Sequence, residues 1–254
     1  KRIWLSEVLE SSQKGKRFKP NLNLTVYNAW ISHIPKLTLK TNSFGLRGAE
    51  ISPEAGNEYR ILILGDSITW AGYLPEVDTF VMQLENLLGK QPNNNVRAIN
   101  AGIGDVGIEE ETSFLKEIYA KVSPKMVILA FYLNDSRPSF GFESEKRLSW
   151  AKFLQKSRFV DVIYNNLQVQ MYLMRHNILG KGYRYRWLYL SKNPEWKSDK
   201  QYFKELAREA NLDWGAAWEE DSWGTVEKNI QELNRFSVEN GVKFIVICLP
   251  VSFQ

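Results

Sequence analysis

From about position 60 the chain alternates short apolar runs with longer amphipathic segments, the pattern of buried parallel strands joined by crossover helices. The runs 61–64, 96–99, 126–132 and 243–249 read as strands. A helix is expected over 79–88, with Phe80, Leu84, Leu87 and Leu88 on one face, and a second over 109–121 carrying Phe114, Leu115 and Ile118. A third, over 225–239, repeats Val226, Ile230, Leu233 and Phe236 at helical spacing and stops at Asn240-Gly241. Each strand-to-strand interval has the length that a right-handed βαβ crossover needs.

Two stretches depart from this rhythm. Residues 1–59 carry Pro20, Pro35 and Pro53 among many Asn and Ser residues, and are expected to be an irregular arm wrapping a core that begins later. Residues 141–223 hold an expected long helix, 150–174, then an aromatic and basic run from Lys181 through Trp187 to Lys192. They read as a helical insertion beside the sheet. A cap packed with aromatics and a solvated basic face is the preferred reading of this run; a surface for a membrane interface or for stacking on sugars is the other. The core is then 60–140 together with 224–254.

Composition narrows the classes. At 254 residues and 44% hydrophobic content, one domain with a substantial core is expected. The 33 Lys and Arg against 29 Asp and Glu leave a net charge of only +4, with the basic residues gathered between 14 and 19 and between 181 and 200. That suits a local anionic or membrane-surface contact and argues against a nucleic-acid binder. The single cysteine, Cys248, excludes an internal disulfide and is expected to be a small core residue. No run approaches the ~20 apolar residues of a membrane span, and the chain begins at Lys1 rather than Met, so a signal or anchor segment before Lys1 is expected.

Candidate chemistry sits at three strand ends, where open parallel sheets collect ligands. These are Gly65-Asp66-Ser67-Ile68-Thr69, the run from Asn100 through Gly102 and Gly104 to Gly107, and Tyr132-Leu133-Asn134-Asp135. A serine hydroxyl attacks an ester carbonyl when a base takes its proton and fixed donors meet the oxyanion. The Ser67 N–H, a glycine-loop N–H and the Asn134 amide would be three such donors. Asp66 reads as a turn or capping residue, Asn100 as orienting its own loop, and Arg47 as tying down the N-terminal arm rather than binding a carboxylate.

Together these runs resemble the SGNH/GDSL hydrolases, whose blocks are named for a Ser, a Gly, an Asn and a His. Gly65-Asp66-Ser67-Ile68-Thr69 matches the nucleophile block and Leu133-Asn134-Asp135 the Asn block, with Tyr132 where a glycine is usual. Asn100-Ala101-Gly102-Ile103-Gly104 matches the Gly block, but Asp105 stands where many members have the oxyanion glycine. Gly104 is the nearest candidate, with the Asp105 N–H as a second. The run Thr41 to Gly48 is similar to the lead-in of exported or membrane-anchored bacterial members.

The resemblance implies a three-layer α/β/α, flavodoxin-like domain with a helical insertion, with Ser67, Gly104 and Asn134 as the site. It implies a serine esterase removing acetyl groups from a carbohydrate or envelope glycan, or an O-acetyltransferase of the same fold. The expected location is periplasmic or extracytoplasmic, with a carbohydrate or other acyl-ester substrate, possible membrane-surface or envelope-protein partners, and no metal or organic cofactor. The family's base is the histidine of an Asp-x-x-His element after the last strand. Neither His33 nor His176 stands in such an element, and only four residues follow Pro250, so the element is expected after Gln254. A catalytically silent scaffold of the same fold is the rival reading.

Overall fold

The structure, a computed structural model, describes residues 8–12, 15–29, 34–52, 54–90, 95–137, 191–210, 213–218 and 222–251. Its centre is a four-stranded parallel sheet of β5 (Tyr59–Gly65), β6 (Val96–Gly102), β7 (Met126–Phe131) and β8 (Lys243–Cys248), in the order β6-β5-β7-β8. The order reverses at β5, which pairs with β6 on one side and β7 on the other. This is the beginning of a flavodoxin-like winding, and its ligand crevice lies at the carboxyl end of β5.

Alternation along the strands divides the core. Leu62, Leu64, Ile99, Val127 and Leu129 face α3 (Ile108–Val122) and α5 (Ser222–Glu239), whose Phe114, Leu115, Ile118, Val226 and Leu233 are buried among them. Ile61, Ile63, Ala98 and Ile128 face the opposite way, toward α2 (Phe80–Gly89). The fold is α/β with helices on both faces of the sheet, as the hydrophobic pattern predicts.

Four expectations change. In α2 the inward face is Val81, Leu84 and Leu88, while Phe80 and Leu87 turn outward and Leu87 is 62% exposed; Thr79 is the N-cap, not the first helical residue. Strand β6 runs on to Gly102, so Asn100 belongs to the ladder (opposite Ile63) rather than to a loop. The described part of the N-terminal arm is not irregular: β1 (Leu9–Ser12) pairs with β2 (Gly15–Phe18), and β3 (Asn23–Ala29) with β4 (Ile34–Lys40), both antiparallel. In β4, Leu37 and Leu39 point inward and Lys36, Thr38 and Lys40 outward, the period of a half-buried strand. Finally Cys248 is exposed rather than in the core, because among the described residues β8 is the edge strand of the sheet, and its Ile245 and Ile247 are also more than 40% exposed.

Of the insertion, the expected helix 150–174 and most of the aromatic and basic run lie outside the described residues. The remainder forms α4 (Lys200–Glu209), started by the Asp199 cap, and the 3-10 turn Trp214–Trp218. These build a further core over the carboxyl end of the sheet, in which Trp214 and Leu206 are fully buried with Tyr132, Ala210 and Val251, and against which Ile68 and Leu133 pack. Among the described residues no helix is long and apolar enough to cross a membrane.

Candidate functional site

The site begins with a sharp turn at the end of β5. Gly65 has φ +156, and a Cβ there would lie 2.1 Å from the Thr69 hydroxyl. The chain can therefore reverse into the one-turn helix α1 (Ser67–Trp70) only with glycine at this position. Asp66 caps that turn, its Oδ1 accepting from the Ile68 N–H at 2.8 Å, as its reading as a capping residue expects. Ser67 is exposed at the top of the turn.

The other two loops close around it. The Ile103 N–H donates to Gly65 O at 3.0 Å, joining the glycine loop to the serine turn. Gly102 is a second obligatory glycine, since a Cβ would come within 2.3 Å of Trp70 N. Gly104 is buried in the following turn. Asp105 beside it has φ +58, the left-handed region that favours glycine, so the residue replacing the expected glycine keeps a glycine-like backbone. Lys16 Nζ lies 3.5 Å from one of its carboxylate oxygens and Arg137 Nη1 3.7 Å from the other.

The third loop is the 3-10 turn Leu133–Ser136 after β7. Asn134 Nδ2 donates to Asp66 Oδ2 at 3.0 Å, and the Ser67 hydroxyl donates to the same oxygen at 3.4 Å. Ser67 and Asn134, far apart in sequence, thus stand side by side on one carboxylate. Tyr132, in the place of the usual glycine, is buried, and its hydroxyl bonds to Asp213 of the cap. Burial, then the neighbouring Asp213, pushes the tyrosine's ionisation up.

Beneath the turn lies a group of carboxyls. Asp66 is 1% exposed, and burial pushes its pKa up against the opposing hydrogen bonds from Ile68, Asn134 and Ser67 and the charge of Arg137. Glu111 is 2% exposed with neither oxygen hydrogen-bonded, and burial, with Asp66 and Glu110 nearby, holds its pKa well above the usual carboxylate range. Asp135 is likewise pushed well up by burial and then by Glu111 and Asp66, although its Oδ2 accepts the Tyr132 N–H at 2.7 Å. Glu111 and Asp135 are favoured in the neutral acid form.

Sequence reasoning passed over Glu111, Arg137 and Asp213. Glu111 had a readable signal: it stands three before Phe114 and four before Leu115, on the apolar stripe of its helix, where a carboxylate is out of place. Asp213 had none, since only the folded cap brings it to Tyr132. The histidines His33 and His176 both lie outside the described residues.

Fold and site define an α/β protein with a serine-bearing turn at the carboxyl end of a parallel sheet. No protein-family model matches the chain, and no curated protein matches it. Among solved structures, a crystal structure of TesA is similar at a TM-score of 0.29 and 14% identity, covering 73% of this chain and 76% of that one.

Proposed function

We propose that the protein is a serine ester hydrolase of the SGNH type, acting on an acylated carbohydrate. The observation carrying this reading is the meeting of the Ser67 hydroxyl and the Asn134 amide on Asp66 Oδ2, with Ser67 exposed at the strand ends. Ser67 Oγ attacks the ester carbonyl, its proton passes to a base, and the acyl–serine forms as the alcohol leaves with a proton. The second amide hydrogen of Asn134, with main-chain N–H groups of Ser67 and of the Gly104–Asp105 turn, receives the oxyanion. Asp66 anchors the resting hydroxyl. It is a poor candidate for the base, because its oxygens are already engaged by Ile68 and Asn134. The reading calls for a histidine base, and no histidine lies among the described residues.

An acetylated sugar is favoured as substrate by Trp218 and Trp223, about half exposed on the cap and at the start of α5, which offer aromatic faces to a sugar ring. An exported, membrane-tethered protein acting on an envelope glycan fits this chemistry. Whether water or a sugar hydroxyl takes the acetyl group is decided by product analysis with an acetyl donor and a glycan acceptor. A serine-directed fluorophosphonate probe tests the reading on the full-length protein. Labelling that Ser67→Ala abolishes is the expected result, and a wild type that stays unlabelled makes the domain a silent scaffold instead.

A further inference from the structure

Helix α1 is a single turn, too short to hold its own carbonyls: the last four C=O groups of any helix have no partner within it. Ser67 O accepts the Ala71 N–H at 2.9 Å, and two side chains from other parts of the fold take Thr69 O and Trp70 O together with two carbonyls beyond the helix, Ala71 O, which also accepts the Leu74 N–H, and Leu74 O. Arg47 Nη1 donates to Trp70 O and, at 2.6 Å, to Ala71 O, and its Nη2 donates to Leu74 O at 2.6 Å. Asn100 Nδ2 donates to Thr69 O at 2.8 Å, and its own Oδ1 is fixed by the Gly102 N–H at 3.0 Å. Arg47 and Asn100 are themselves bridge partners, and both are buried. Phe18 of β2 stacks on Trp70 with ring centroids 4.5 Å apart, seating the arm on the same turn.

Holding the arm in place would not by itself call for this chemistry. Arg47 is 6% exposed and makes no salt bridge among the described residues, with Glu76 the nearby opposite charge that acts on it. Burying a guanidinium is costly, and an apolar side chain packed beside Phe18 would seat the arm without that cost. What an apolar residue cannot do is fix three carbonyls at the exit of the serine turn, where Ala71 stands at φ +49. A planar fork of donors holds all three at once, and an ammonium on a flexible stem, with its own N–H donors, can hold them only in part.

We propose that Arg47 and Asn100 are positioning residues for Ser67, setting the pitch of its turn through the carbonyls of Thr69, Trp70, Ala71 and Leu74. The inference rests on the hydrolase reading above. It adds that the N-terminal arm is part of the reactive centre: through Arg47 it determines where the hydroxyl stands relative to Asn134.

The test compares fluorophosphonate labelling rates of the full-length wild type, Arg47→Met, Arg47→Lys and Asn100→Leu at a temperature where melting curves show each folded. A loss of roughly 10²-fold is expected for Arg47→Met, since a displacement of about 1 Å at a reacting group costs that much. Arg47→Lys should recover part of the rate, and added methylguanidinium should rescue Arg47→Met while leaving wild type unchanged. If Arg47→Met does not fold, Arg47→Lys and Asn100→Leu decide. Folded variants that label at the wild-type rate, or a loss that methylguanidinium and lysine both fail to relieve, overturn the inference and leave the hydrolase reading standing. A wild type that is not labelled removes both.

Discussion

The Asn134 amide and the Ser67 hydroxyl converge on one oxygen of Asp66, at 3.0 and 3.4 Å, while the other oxygen of Asp66 caps the serine turn. One buried carboxylate therefore does two separable things. Asn is as good an N-cap as Asp, so Asp66→Asn should keep the Ile68 bond and melt within about 1 kcal/mol of wild type. Its new amide would face the Asn134 amide donor to donor, so fluorophosphonate labelling of Ser67 should fall by roughly 10²-fold. Asp66→Ala should lose labelling and, in addition, the ~0.5–2 kcal/mol of the cap. Equal melting and labelling losses in the two variants would show that Asp66 only supports the turn.

Trp214 carries the cap. It is fully buried, in edge-to-face contact with Trp218 at 5.4 Å and close to Phe203, and it belongs to the cluster against which Ile68 and Leu133 pack, the neighbours of Ser67 and Asn134. Trp214→Ala should cost about 3–5 kcal/mol in urea unfolding, the range for removing a large aromatic from a core. Because the cavity lies beside both loops, Ser67 labelling should slow as well. A change below ~1 kcal/mol would mean that the cap contributes little to the fold.

The sheet was readable because its strands obey a simple rule: a run buried on both faces is apolar at every position, and 61–64 and 126–131 are. The serine turn was readable because Gly65-Asp66-Ser67-Ile68-Thr69 directly follows such a run and resembles a nucleophile block, and the structure adds that Gly65 and Gly102 sit where no side chain fits. What the sequence hid is what tertiary packing decides. Leu87 reads as part of the apolar face of its helix but ends 62% exposed, because β5 and β6 meet that helix along Val81, Leu84 and Leu88. Cys248 has a core-like context, yet its burial depends on what lies beyond an edge strand. The prolines and asparagines of the arm overshadowed a plain alternation at Leu37 and Leu39.

Glycines separate the two kinds of constraint. A Cβ at Gly107 would sit 2.0 Å from the main-chain oxygen of Arg137, and at Gly102 2.3 Å from Trp70 N; backbone cannot move aside as a flexible side chain can. Gly224, in α5, has nothing within 4 Å of that position. Gly102→Ala and Gly107→Ala should therefore lower stability by at least ~1–3 kcal/mol through forced backbone shifts. Gly224→Ala should raise it by about 0.5–1 kcal/mol, because alanine gives up less backbone entropy in a helix. Thermal melting of the three variants reads this directly, and a stabilised Gly102→Ala would contradict the packing at the serine turn.

Glu111 and Asp135 give stability an unusual pH dependence. Burial raises both pKa values well above the usual carboxylate range, so in the folded protein they keep protons that the unfolded chain releases near pH 4. Below the unfolded pKa both states are protonated and these groups cost nothing. As pH rises above it, the unfolded chain binds fewer protons than the fold, and stability declines until the raised folded values are passed. Glu111→Gln is a permanent mimic of the neutral acid and should abolish its share of that decline. Relative to wild type, its stability should improve progressively from pH 4.5 toward pH 8. Urea unfolding at intervals across that range checks the sign: parallel curves for wild type and Glu111→Gln would show that Glu111 is ionised in the folded state despite its burial.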